Sequence, residues 1–129
     1  MTAVHPVLLA TAATLFGLTA AAAPARGVPA DGERHFRARC ASCHAVEEGQ
    51  NRIGPHLSGV VGRPAGTVDG ARYSAALKGA GVVWDEQTLE AYLANPRQAV
   101  PGTSMVVGLP NAGQRAQVIE YLRSLSDGN

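Results

Sequence analysis

Lysine is almost missing from this 129-residue chain: Lys78 is the one lysine among eleven basic residues, the rest being arginine. Ten acidic residues balance them to a formal charge of +1. A chain so near neutrality lacks the long-range field that draws proteins to nucleic acid. Large side chains are also scarce. Beyond the first 25 residues the aromatics reduce to Phe36, Tyr73, Trp84, Tyr92 and Tyr121, and the methionines to Met105. The length suits one small domain. A domain of about 100 residues buries a limited fraction of its surface, so a core this poor in bulk needs apolar mass from elsewhere. Internal repeats, charge blocks and low-complexity tracts are absent beyond the leader.

The leader is the one long apolar run. Residues 7–23, VLLATAATLFGLTAAAA, carry no charge, and Ala23-Pro24-Ala25 has the small-residue form of a secretory cleavage site. Residues 1–25 are expected to be a cleaved signal peptide and 26–129 a single domain. The start departs from the usual pattern, because it holds His5 but no Lys or Arg. An uncleaved anchor is the rival, although the run falls short of the ~20 apolar residues a span needs. No cysteine near the cleavage point could carry a lipid. Export places the chain in an oxidising compartment, where its two cysteines could also pair as a disulfide.

Asp31 is placed to cap a first helix, with Glu33 near its start and Arg37 and Arg39 near its end, the charge order a helix dipole favours. Phe36, Cys40 and Cys43 fall at i, i+4 and i+7, a stripe expected to carry both thiols on this helix. Residues 45–72 are rich in glycine and proline and follow neither helical nor strand periodicity, so they read as a long ordered loop. Such a loop in a small domain is functional or wraps something. Ser74 can cap a short helix that stops at Gly79. Asp85 caps the next, with Leu89, Tyr92 and Leu93 on one face and Pro96 at its end. Residues 100–107 are extended. Asn111 and Gln114 resemble a capping box, and Val118, Tyr121, Leu122 and Leu125 stripe a final helix. The expected fold class is all-α, with helices joined by long loops.

Cys40-Ala41-Ser42-Cys43-His44 is the C-x-x-C-H pattern by which c-type haem is attached, and such a haem would supply the missing apolar mass. Each thiol can bond one vinyl group, leaving His44 to coordinate the iron with a neutral ring. The alternative, a thiol-disulfide module, needs a βαβ context that this pattern lacks. A sixth ligand separates electron carriers from proteins that bind gases or peroxide. Met105 follows a rigid Pro-Gly-Thr-Ser segment, 61 residues after His44 (105 − 44), where filling a core gap is a poor use of methionine. His35 and His56 read as surface residues, with His56 the competing ligand.

These residues resemble the class I c-type cytochromes, which include mitochondrial cytochrome c and soluble bacterial relatives. CASCH, GPHLSGVVGR at 54–63, YSAALKGAGVVW at 73–84 and YLANPRQAVPGTSM at 92–105 occur in family order, so the likeness covers nearly all of the chain after the leader. The resemblance implies the class I cytochrome c fold around one haem c bound by two thioethers, with His44 and Met105 on the iron. It implies that Pro55 accepts a hydrogen bond from His44, and that Arg63, Tyr73, Ser74 and Trp84 hold the propionates. Tyr92 and Thr103 would lie beside the methionine sulfur and an inner propionate. Gly32, Phe36 and Tyr121 would form the crossing of the first and last helices. Departures are Leu77 where mitochondrial relatives carry asparagine, Ser104 where they carry a lysine able to displace the methionine, and a stretch after Met105 about one residue shorter. Arg39, Arg52 and Arg97 replace lysines at the haem edge, with Glu47 and Glu48 nearby.

The resemblance implies a carrier of single electrons, not an enzyme. Its partners would be transient: a membrane oxidoreductase, a terminal oxidase or a dehydrogenase, with no nucleic acid and no membrane contact except through partners. A monomer in a bacterial periplasm is expected. The alternatives are an electron-accepting haem subunit of a dehydrogenase, and a haem protein whose labile methionine opens the iron for peroxidase chemistry or gas sensing.

Overall fold

In the computed structural model the described residues are 29–127 together with Met1, so the expected cleavage after Ala25 lies outside them. The first helix, α1, spans Ala30–Arg39. It starts one residue before Asp31, with Pro29 at the cap position and no side-chain cap, so Asp31 is not the cap expected of it. Asp31 instead pairs with Arg34 at 2.8 Å, and Glu33 with Arg37, acidic residues leading as the dipole prefers. The helix ends before the cysteines, another departure. Residues 40–43 are a turn, closed by Cys43 N–H and His44 N–H donating to the Cys40 carbonyl at 3.0 and 2.9 Å.

Residues 45–72 contain no helix and form a wrap stapled to itself and to the turn. Gly54 N–H donates to the Cys43 carbonyl at 2.8 Å, Leu57 N–H to Ala45 at 2.8 Å, and the Arg52 guanidinium to Ala41 at 2.7 Å. Asn51 Nδ2 donates to the Asp69 carbonyl at 2.9 Å. These bonds give a coil without regular structure the paired backbone that burial requires. A narrow antiparallel contact, Pro64 against Val83, joins the wrap to the segment before the third helix. Gly62 N–H and Trp84 N–H complete it by donating to the Trp84 and Arg63 carbonyls.

The short helix α2, Ala75–Lys78, is capped by Ser74 Oγ, which accepts from Leu77 N–H at 3.1 Å, and stops at Gly79. Helix α3, Glu86–Ala94, begins with a reciprocal capping box between Asp85 and Thr88 and buries Leu89, Tyr92 and Leu93. Pro96 does not simply end it. It opens a further turn, α4, Pro96–Ala99, as an N1 proline can. The last helix, α5, Ala112–Ser126, is capped by Asn111 Oδ1, which accepts from Gln114 N–H at 3.0 Å. Ile119 is buried beside the expected Val118, Tyr121 and Leu122.

Helices α1 and α5 cross tightly. A Cβ on Gly32 would collide with the Gln117 carbonyl oxygen and come within 2.7 Å of Tyr121 Cβ, so the backbones meet where only hydrogen fits. Phe36 and Tyr121 pack beside this point with ring centroids 5.5 Å apart. Helix α5 also packs on α3. Among the described residues no helix is long and apolar enough to cross a membrane.

Candidate functional site

A cavity of about 680 Å³ opens between the 40–44 turn, the wrap, α3, α5 and the segment around Met105. Cys40, Cys43, His44, Pro55, Arg63, Tyr73, Ser74, Trp84, Tyr92, Thr103 and Met105 all line it. Residues far apart in sequence thus share one enclosure within the size range of cofactor sites. Leu57, Val60, Leu89, Leu93, Val118 and Leu122 complete its apolar walls. His56 and His35 are not among the lining residues. His56 instead faces a smaller polar hollow with Glu48 and Asp69.

The imidazole of His44 is fixed on two sides. Its Nδ1 lies 2.7 Å from the Pro55 carbonyl oxygen. A carbonyl can only accept, so Nδ1 carries the proton and Nε2 keeps its lone pair. Gly54 presses on the ring: a Cβ there would overlap Cε1 and lie 2.8 Å from Nδ1. Burial lowers the pKa of His44, the Pro55 bond partly opposes it, and Arg63 adds to the lowering. The ring is therefore a neutral donor, as coordination requires.

Cys40 and Cys43 are both half-buried and are not joined to each other by a disulfide. Burial pushes the Cys40 thiol up to about 11.

Met105 lines the same cavity and is half-buried, with its N–H 3.4 Å from Thr103 Oγ1. The Thr103 hydroxyl pairs with Tyr92 OH at 2.7 Å in a buried contact. Burial raises the Tyr92 pKa, and the Thr103 bond partly offsets this. Tyr92 also packs against Trp84, with centroids 4.9 Å apart, so these rings serve as core and cavity wall at once.

A polar wall adjoins the wrap. Arg63 donates to the carbonyls of Ser58 and His56 at 2.8 and 2.9 Å, which leaves part of its five-donor fork for another acceptor. Burial lowers its pKa, with Tyr73 opposing. Ser74 Oγ accepts the α2 cap bond and keeps its own proton to donate. Tyr73 OH accepts from Val68 N–H at 3.3 Å, leaving its proton free in the same way. Arg72 also lines this part of the cavity and was not singled out by the sequence, since an arginine in a loop carries no pattern. Gly54 reads in the sequence only as part of the long loop, although its missing side chain admits the imidazole.

This donor set suits haem. Among the described residues no three His, Cys, Asp or Glu side chains cluster as metal ligands. An imidazole and a thioether lining one largely apolar cavity instead suit an ion already held by a macrocycle, with free donors along one wall for carboxylates.

The cytochrome c family model matches residues 29–126. The chain belongs to the cytochrome c family. Cytochrome c 2.1 of Caenorhabditis elegans is 48% identical over 92 residues, covering 70% of this chain and 83% of that one. Cytochrome c of Nigella damascena is 48% identical over 103 residues, covering 78% and 92%. The cytochrome c-type cyt cy of Rhodobacter capsulatus is 47% identical over 95 residues, covering 73% of this chain and 47% of that protein. The solved structure of cytochrome cH from Methylobacterium extorquens superposes with a TM-score of 0.69 at 41% identity, covering 76% of this chain and 99% of that one. The all-α class I fold follows, as does covalent haem c, for which Cys40 and Cys43 have the attachment spacing. This cytochrome is a haem electron carrier.

Proposed function

We propose that this cytochrome carries one electron at a time between redox partners in a periplasm, using an iron ligated by His44 and Met105. The observation that carries the reading is that one cavity holds an oriented neutral imidazole, both attachment thiols and the single methionine thioether of residues 26–129. When bound, the haem supplies a one-electron couple. The protein's part is to hold its groups still. His44 is immobilised by Pro55 and Gly54, so the imidazole does not reorient when charge changes. The apolar walls exclude water and favour the less charged reduced state, as thioether ligation also does. Donors on Arg63, Tyr73, Ser74 and Trp84 offset the cost of enclosing propionate charge.

The cavity mouth supports a transient partner held by modest forces. Ile53, Val106 and Val107 line the cavity and are 75, 59 and 47% exposed, giving the rim an apolar centre. A contact of that kind belongs with small, short-lived interfaces. Oxidation by the partner should slow only modestly as salt rises, a stopped-flow measurement that a steep slope would contradict. Periplasmic location is supported by the apolar run at 7–23 and the Ala23-Pro24-Ala25 site.

The test of ligation is the optical spectrum of the exported protein and of Met105→Ala. The parent should show the weak far-red band of methionine-to-iron ligation and resist carbon monoxide when reduced. Met105→Ala should keep covalent haem, lose the band and bind carbon monoxide. A native spectrum in that variant would rule Met105 out, and rapid carbon monoxide binding by the parent would favour a gas-binding or peroxidase protein.

A further inference from the structure

Arg115 sits in the first turn of α5, the end of a helix where a cation is disfavoured by the dipole. Its side chain is nevertheless 11% exposed, and a guanidinium that deeply placed needs partners. It has them on three sides. Nε and Nη2 lie 2.7 and 2.6 Å from Glu90 Oε1 on α3, while Nη1 donates to the Leu109 and Pro110 carbonyls at 2.7 and 2.8 Å. Leu109 is itself buried, and its N–H donates to the Leu93 carbonyl at 2.7 Å. Gly108 passes so close over the end of α3 that a Cβ would lie 3.1 and 3.2 Å from the Leu93 and Ala94 carbonyl oxygens.

Met105 therefore hangs between two anchors. One is Thr103, bound to Tyr92; the other is Leu109, gripped by Arg115 and Leu93. Val106 and Val107, between Met105 and the second anchor, are 59 and 47% exposed and hold the segment only weakly by burial. The distance the sulfur can wander is then governed by the anchors, because a shorter free segment confines its end to a smaller volume.

We infer that Arg115 is a positioning residue for the Met105 sulfur, acting through Leu109 and Pro110; this rests on the ligation proposed above. It holds the second anchor in place by joining it to α3 and α5 together. Lysine could not replace it, since a single ammonium lacks the planar fork that reaches a carboxylate and two carbonyls at once.

The experiment uses the haem-loaded protein and titrates the ferric form with imidazole, which competes with the sulfur for the iron, following the far-red band. Arg115→Gln should bind imidazole about tenfold more tightly than the parent, the equivalent of one lost charge-assisted hydrogen bond. Glu90→Gln, which leaves both carbonyl bonds available, should shift affinity in the same direction by less. Arg123→Gln breaks another α3–α5 ion pair, to Glu86 at 3.4 Å, without touching the segment, and should leave affinity unchanged. In a Met105→Ala background, Arg115→Gln should add nothing, because there is no sulfur left to position. Parent-like affinity and band in Arg115→Gln would overturn the inference, as would an equal gain in the Met105→Ala background. If Arg115→Gln yields no holoprotein, unchanged affinity in Glu90→Gln overturns it instead. A native spectrum in Met105→Ala would overturn the ligation reading and this inference together, whereas loss of the band there with parent-like Arg115→Gln overturns this inference alone.

Discussion

The two sides of the cavity are held by different means. On the His44 side the contacts fall on the ring itself: Pro55 accepts a hydrogen bond from its Nδ1–H, Gly54 lies against its edge, and the adjacent Cys43 belongs to the same turn. On the Met105 side the contacts fall on flanking residues, through Tyr92 with Thr103 and through Arg115 with Leu109. One side is rigid at the donor and the other is rigid around it. A donor locked directly fails when its immediate neighbours change, while a donor held by its flanks loosens by degrees.

The largest expected effect comes from Gly54→Ala. The new methyl would overlap the imidazole, so the ring must turn away from Pro55 or the wrap must lift. We expect a loss of about 1–3 kcal/mol in thermal or denaturant unfolding and a changed haem spectrum, with covalent pigment retained. A variant with parental stability and spectrum would mean the histidine side is no tighter than the methionine side.

Thr103→Val should act more gently. It leaves the buried Tyr92 hydroxyl without its partner and removes the acceptor facing the Met105 N–H. The cost should be about 1–3 kcal/mol at the lower end, with the far-red band weakened and the His44 side untouched. An unchanged band would show that the Leu109 anchor suffices.

The smallest effect is a pH limb. Burial raises the Tyr92 pKa in the folded state, so the folded protein keeps the phenol proton where the unfolded chain loses it. This contribution is fully present below about pH 10, the ordinary tyrosine value, and declines as pH rises through the raised folded value. Tyr92→Phe should flatten the alkaline fall in stability, measured by denaturant midpoints across that range. An identical alkaline limb in parent and variant would assign the fall to another group.

Much of this arrangement was legible before any fold was known. C-x-x-C-H, the Ser74, Asp85 and Asn111 caps and the stripe on α5 are local patterns, and local hydrogen bonds enforce them. The errors were also local. The apolar spacing of Phe36, Cys40 and Cys43 suggested a helix running through both thiols, but residues 40–43 form a turn. Asp31 looked like the cap of α1, but Pro29 holds that position; Pro96 ends α3 as expected and also begins α4, because an N1 proline lacks a donor that position does not need.

What the sequence by itself determined is the chemistry: which thiols attach haem, which imidazole stands beside them, and that a single thioether remains downstream. Neighbouring residues in one turn cannot avoid one another, so spacing is enough there. The tertiary structure decided where Met105 stands, why Gly32 and Gly54 must lack side chains, and what Arg115 grips. Those facts depend on segments meeting from distant parts of the chain, and no residue type announces its partner before the backbone closes.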